Sequence, residues 1–351
     1  MRIFEVEPMI IEPNATLVRL LEKHLPADAL GLLLGAVEIA PALVAEKGDM
    51  SSRAVLSQAL NLWLLYDLME RVPTAKAYFD EIVASGGRLA LDHGALRTVD
   101  LNAMGSLPAG EAAITRVLLP LGYIQAETYP LDRLGMTGRS YRHEDFPEDI
   151  PQFFVSELHV ERFSPDFKAA AARVTATSID PLDRASIEAL RELGERRELE
   201  VDRAAMLLGR LVQCFSRRHA APSIEDYRTL LAESAEMAWI STEGNAFNHA
   251  TDRVADIASV AEKQRAAGRA MKDDIEISRS GRIRQTAYKA DLVRRQFREG
   301  GHIIARSVPG SFFEFIERDR LPGSNALDLS FDTGNAQAIF KMTAGAERAG
   351  L

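Results

Sequence analysis

The chain has 351 residues, enough for two ordinary domains or one large one with a core of full size. Hydrophobic residues make up 46% and charged residues 26%, the balance of a soluble globular protein rather than a disordered or membrane-embedded one. Lys+Arg 42 against Asp+Glu 51 leave a net charge of −9, which argues against general nucleic-acid binding, and the one cysteine, Cys214, excludes an intramolecular disulfide or a multi-cysteine metal cluster.

The first residues carry Glu5, Glu7 and Glu12 where a secretory leader would carry a basic stretch and an apolar run. The most apolar segment, 29–44, is interrupted by Gly31, Gly35, Glu38 and Pro41 and is too short to span a bilayer. The expectation is a cytoplasmic protein with neither membrane nor nucleic acid as partner. Its oligomeric state is not legible.

Helical spacing runs to about residue 80. Asn14 is the expected cap of a first stripe, Leu17, Leu20, Leu21 and Leu25, which Pro26 ends. Ser51 or Ser52 opens a second stripe of Leu56, Leu60, Trp63, Leu64 and Leu68. At Ser85-Gly86-Gly87 the texture changes, and Arg88-Leu89-Ala90-Leu91-Asp92-His93 alternates like a strand that ends at His93. A second strand is expected over 153–160. Helix returns between about 181 and 232, where Ile187, Leu190, Leu193, Met206, Leu207, Leu211 and Phe215 mark apolar stripes and the charges of 191–200 read as a solvated helix face. Short strands are expected at 302–306, 311–317 and 336–342.

Segregated helical and strand-rich blocks predict the α+β class. The chain reads as a single large catalytic domain over 1–351. Its parts are a helical region at 14–80, a strand-rich part at 85–165, a helical insertion at 181–235 and a second strand-rich part at 236–345. No Gly-rich phosphate loop and no short-period repeat occur in the sequence.

Of seven histidines, two have chemically suggestive surroundings. His93 is followed by Gly94, which lets the backbone pass close to a bound group, and by Arg97, whose fork matches a carboxylate. His249 lies in Asn245-Ala246-Phe247-Asn248-His249-Ala250-Thr251-Asp252-Arg253, a polar segment with few core-packing credentials. Neither belongs to a short-range zinc motif. Glu314 sits in the run Ser311-Phe312-Phe313-Glu314-Phe315-Ile316-Glu317-Arg318, where an ionised carboxylate is costly unless paired or bound to a metal. Glu314 and Glu317 face opposite sides of such a strand, so alternation alone does not choose between them, and desolvation favours Glu314. Two histidines and a carboxylate form the ligand set of non-haem Fe(II) oxygenases, and would also hold Zn, Mn or Ni. The basic residues Arg282, Arg284, Lys289, Arg294, Arg295 and Arg298 read as a solvated surface, with Arg294 and Arg298 sharing a helix face.

These segments resemble the 2-oxoadipate dioxygenase/decarboxylase family, also described as D-2-hydroxyglutarate synthases. The likeness is carried by Asp92-His93-Gly94-Ala95-Leu96-Arg97-Thr98, Phe153-Phe154-Val155-Ser156-Glu157-Leu158, Arg284-Gln285-Thr286-Ala287, Phe247-Asn248-His249-Ala250-Thr251 and the run around Glu314, and it extends from about residue 10 to 345. It implies an elaborated vicinal-oxygen-chelate fold, with curved sheets enclosing a metal and helical additions around them. It implies an Fe(II) site on His93, His249 and a glutamate of the last motif. The 4-hydroxyphenylpyruvate dioxygenases of the same fold end in a similar strand, aromatic-Leu-Glu-Ile-Ile-Gln-Arg. That register places the ligand at Glu314, and a three-residue slip would choose Glu317. Arg97 inherits the role of holding a substrate carboxylate, and Ser156, Asn248 and Gln285 are pocket candidates.

The implied reaction converts 2-oxoadipate and O2 into 2-hydroxyglutarate and CO2, and the implied setting is lysine catabolism. The chain is shorter than the family's characterised bacterial enzyme, which puts the loops shaping the substrate pocket in question. Two other readings remain open from sequence: a metal-dependent isomerase or lyase on the same scaffold, and a non-catalytic binding protein.

Overall fold

The computed structural model describes residues 11–102, 104–332 and 334. In chain order the strands are β1 (Met50–Ser52), β2 (Leu91–Asp100), β3 (Tyr123–Leu131) and β4 (Met136–His143). They continue with β5 (Gln152–His159), β6 (Glu198–Glu200), β7 (Phe247–Arg253) and β8 (Glu276–Ile277). The last four are β9 (Ile283–Ala287), β10 (Leu292–Glu299), β11 (His302–Pro309) and β12 (Phe312–Arg318).

Eight of these form one curled sheet in the order β3-β4-β5-β2-β7-β12-β9-β8. Within it the pairs β2–β5 and β7–β12 are parallel and the other neighbours antiparallel. The order divides into two like halves that meet at the β2–β7 seam. Outward from the seam one half runs β2-β5-β4-β3 and the other β7-β12-β9-β8. In each half the inner strand is followed by a helix, Ala112–Leu118 or Ile257–Ala266, before its parallel partner is reached. The sequence shows no repeat, yet the topology repeats.

The halves are separated in the chain by helices Pro165–Thr175, Arg184–Arg196, Val201–Cys214, Ile224–Leu231 and Ala235–Glu243. An N-terminal block packs beside the sheet. Its longest helix, Arg53–Arg71, is capped by Ser52, whose hydroxyl accepts from Val55 N, and buries Leu56, Leu60, Leu64 and Leu68. Near its C-terminal end Arg71 donates to Ser311 Oγ at 3.0 Å, and Ser311 donates to Phe247 O at 2.6 Å. The helix thereby pins the starts of β7 and β12. Among the described residues no helix is long and apolar enough to cross a membrane.

Several local expectations need correction. The first helix spans Thr16–Leu21 with Ala15 at its N-cap and no side-chain capping bond, so Asn14 is not the cap and Leu25 lies beyond the helix. β2 starts at Leu91 and runs ten residues, so His93 stands near its beginning rather than its end. The alternation that suggested a stop there is misleading, because β2 is sandwiched between β5 and β7 and is buried on both faces to Val99. The polar segment around His249 is a buried strand, and 198–200 is a strand paired with β1 rather than helix. Arg294 and Arg298 are exposed on strand β10, not on a helix. The expected strand at 336–342 lies outside the described residues.

Candidate metal centre

β2, β7 and β12 are adjacent in the middle of the sheet, so residues at matching heights face one point. The β2–β7 register sets His93 opposite Thr251 and His249 opposite Ala95, placing the imidazoles symmetrically about the Gly94–Ala250 pair. Gly94 is required there: a Cβ would lie 2.2 Å from the Phe247 ring. Parallel pairing places Glu314 beside Thr251, two residues past His249 and on the same face.

His93 Nε2 is 3.2 Å and His249 Nε2 3.3 Å from the same Glu314 oxygen, Oε2. One ligand-type atom from each of the three residues lies within 4.8 Å of the others. Adjacent donors on a shared ion at about 2.1 Å stand roughly 3 Å apart, so this spacing suits a divalent metal. Glu314 Oε1 and His249 Nδ1 are buried without hydrogen-bond partners, which is costly unless a bound group completes the site. The donor set is the one that Fe(II), Zn, Mn or Ni accept.

A second ring of contacts holds this group. His93 Nδ1 lies 2.8 Å from Asp92 Oδ1, so the Nδ1–H donates to Asp92 and Nε2 is turned toward Glu314. Arg318 in turn donates to Asp92, with Nε 2.9 Å from Oδ2 and Nη2 2.9 Å from Oδ1. The Thr251 hydroxyl donates to Glu314 Oε2 at 2.7 Å. Burial alone would raise the Glu314 carboxyl, but His249 and His93 hold it well below the usual carboxylate range. Asp92 is likewise buried and held far down by Arg318 and His93. Burial lowers the His249 imidazole, whereas at His93 the same effect is outweighed by Asp92 and Glu314.

The triad opens into a cavity lined by Arg97, Ser156, Asn248, Gln285, Phe154 and Phe331. Arg97 stands four residues past His93 on the same face of β2, and its guanidinium lies 4.8 Å from the centre of the Trp239 ring. Burial pushes Arg97 down to about 10, against the opposing pull of Glu236, so it remains a cation at neutral pH. The register slips between Ala95 and Leu96, making Asn248 the extra residue of a bulge. Asn248 and His249, consecutive in the chain, therefore both line the cavity.

The structure thus brings together His93, His249 and Glu314, and leaves Glu317 out. Glu317 faces away from the group, accepting from Ile257 N at 2.8 Å and from Arg284 at 2.7 Å. The residues that sequence reasoning gave no role are Asp92, Thr251, Arg318 and Phe331. Thr251 carried a usable signal, because a residue two beyond a strand histidine shares its face. Phe331 carried none.

A curled sheet of two like halves, with this histidine pair and glutamate at the seam, defines a vicinal-oxygen-chelate-like protein. A crystal structure of a glyoxalase superfamily protein from Ralstonia eutropha JMP134 is 51% identical, with a TM-score of 0.87, covering 91% of this chain and 99% of that one. The family model for 2-oxoadipate dioxygenase/decarboxylase matches residues 66–340, and the chain belongs to that family. The chloroplastic 2-oxoadipate dioxygenase/decarboxylase of Arabidopsis thaliana is 24% identical over 327 residues, 83% of this chain and 77% of the relative. Hydroxyglutarate synthase from Oryza sativa, crystallised with 2-oxoadipate, is similar at a TM-score of 0.65 and 20% identity, over 88% of this chain and 96% of that one.

Proposed function

We propose that this protein is an Fe(II)-dependent dioxygenase that converts 2-oxoadipate and O2 into 2-hydroxyglutarate and CO2. The observation that carries the reading is the His93–His249–Glu314 group at the base of a cavity that also holds a buried arginine. Family membership supports the chemistry, and the 2-oxoadipate bound to the rice relative supports the substrate class.

In this reading His93, His249 and Glu314 would hold the metal, and the cavity beside them would take the substrate. A bound Fe(II) would chelate the 2-oxo acid and activate O2. The chain's own residues do the rest. Arg97 binds the distal carboxylate, a charge-assisted contact strengthened by its burial among Trp239 and the cavity walls. Holding that end fixes which carbon lies next to the reacting centre, which is what intramolecular hydroxylation requires. Ser156, Asn248 and Gln285 supply further polar contacts, while Phe154 and Phe331 exclude water. Asp92 fixes the tautomer of His93 and Thr251 the rotamer of Glu314. A cytoplasmic setting and a role in lysine catabolism belong to the same proposal.

The deciding experiment is O2 uptake by anaerobically Fe(II)-loaded protein on adding 2-oxoadipate, with CO2 and 2-hydroxyglutarate quantified together. Equal amounts of all three support the reaction. Bound iron without uptake moves the assignment to another 2-oxo acid or to isomerase or lyase chemistry.

A further inference from the structure

After β12 the chain doubles back. Asp319 N donates to Arg282 O, and Asp328 N returns to Asp319 O, so residues 319–332 form a strap alongside the open face of the sheet. Glu148 accepts from Leu327 N, Gln152 donates to Leu329 O, and the Tyr129 hydroxyl accepts from Phe331 N. The end of the strap sets Phe331 edge-on against the His93 ring, with centroids 4.9 Å apart, at the wall of the cavity.

One buried side chain joins the strap to the same histidine from behind. Arg318 spends Nε and Nη2 on Asp92, the partner of His93. Its Nη1 donates to the carbonyls of Asp328 and Ser330, each at 2.8 Å, and its guanidinium lies 5.1 Å from the centre of the Phe331 ring. A lysine could pair with Asp92 but lacks the planar fork that reaches both strap carbonyls at once.

We propose that Arg318 is a positioning residue that couples metal occupancy to seating of the strap, a proposal that rests on the metal-centre reading above. An ion that fixes His93 fixes Asp92 and Arg318 behind it. Arg318 then holds 328–330 down and keeps Phe331 against the cavity. When His93 is free to turn, the Asp92–Arg318 link loosens and the strap lifts. Binding at the metal centre and closure over the substrate are then two readouts of one equilibrium.

The test is amide hydrogen exchange of the intact chain, with and without Fe(II) held anaerobically or with Co(II), and metal affinity measured by chelator competition. In the wild type the metal should slow exchange across 321–332 by about ten-fold or more, a shift within the range of allosteric couplings. Arg318→Lys should still bind the ion, within about ten-fold of wild type, while its strap exchanges fast with or without metal. Its KM for 2-oxoadipate should rise more than its kcat falls.

Phe331→Ala leaves the Asp92–Arg318 pair intact but removes the strap's contact with His93, and should also blunt the metal effect. It serves as the deciding variant if Arg318→Lys does not fold. A wild-type strap indifferent to metal, or metal protection that persists unchanged in the variants, would overturn the coupling. A chain that takes up no ion overturns the metal centre and the coupling together, whereas loss of O2 uptake alone leaves the exchange result standing.

Discussion

The two halves of the sheet share a topology and divide the labour unequally. In the second half, β12 places Glu314 two residues past the partner of His249. In the first half the corresponding place in β5, two residues past the partner of His93, is Phe154. One half therefore contributes two of the three metal-type ligands. The other contributes a single histidine, an aromatic wall, and Arg97 further along the same strand face. A symmetric scaffold thus carries an asymmetric site, with two of the three ligand-type residues on one side of the seam and the buried arginine on the other.

Substitution at the corresponding places gives the largest contrast. Glu314→Ala should abolish activity and weaken metal binding by about 100-fold or more, since even outer-shell partners are worth about 10–100-fold. Phe154→Ala should keep the metal while costing about 3 kcal/mol of stability. Metal titration and urea unfolding of the pair decide the matter, and equal metal loss in both would erase the distinction between the halves.

Arg97→Ala should retain stoichiometric metal yet bind 2-oxoadipate roughly 10–100-fold more weakly, the worth of one charged hydrogen-bonded contact. Loss of metal in that variant would mean the first half shapes the ion site more than the geometry implies.

An effect on stability rather than on binding resides at the outer strands of the first half, in His143. Its Nδ1 accepts from Asp145 N and Phe146 N, and its Nε2–H donates to Leu121 O. That bonding requires a neutral ring, and burial lowers the pKa to about 4. As pH falls below about 6.5 the unfolded chain takes up this proton first, so stability present above that pH is lost progressively down to about pH 4. The loss attributable to His143 is about 3 kcal/mol. Unfolding midpoints between pH 7.5 and 4.5 should slope less in His143→Gln, and parallel slopes would discount the residue.

The smallest expected effect is Glu317→Gln. It should leave metal binding within a few-fold and cost about 1 kcal/mol through the lost charge at Ile257 and Arg284. A large drop in metal affinity would move the ligand register by three residues.

The α+β class was legible because helical and strand textures occupy separate stretches. So was the pairing of Glu314 with burial, since a carboxylate in Phe312-Phe313-Glu314-Phe315-Ile316 cannot be indifferent to its surroundings. The strands β3 and β4 escaped notice because β3 shows a largely exposed face and reads Tyr-Ile-Gln-Ala-Glu-Thr, while β4 carries Thr137, Arg139, Ser140 and Arg142. β7 escaped for the opposite reason. It is buried throughout to Asp252, and Asp252 is satisfied by partners distant in sequence, Tyr78 and Ala90 N. The Arg318–Asp92 pair joins positions 226 residues apart, and no local pattern announces such a contact.

The seam between β2 and β7 also dictates the order of events during synthesis. His93 leaves the ribosome long before His249 and Glu314, with the whole helical insertion between them, and the Gly94–Ala250 pair cannot form until both inner strands exist. Such non-local pairing is slow to nucleate, because loop closure must be achieved before its contacts offer any return. A nascent or truncated chain that holds only the first half carries one of the three ligand-type residues, His93, and no chelating geometry. The three ligand-type residues therefore come together only once the inner strands of both halves have been made.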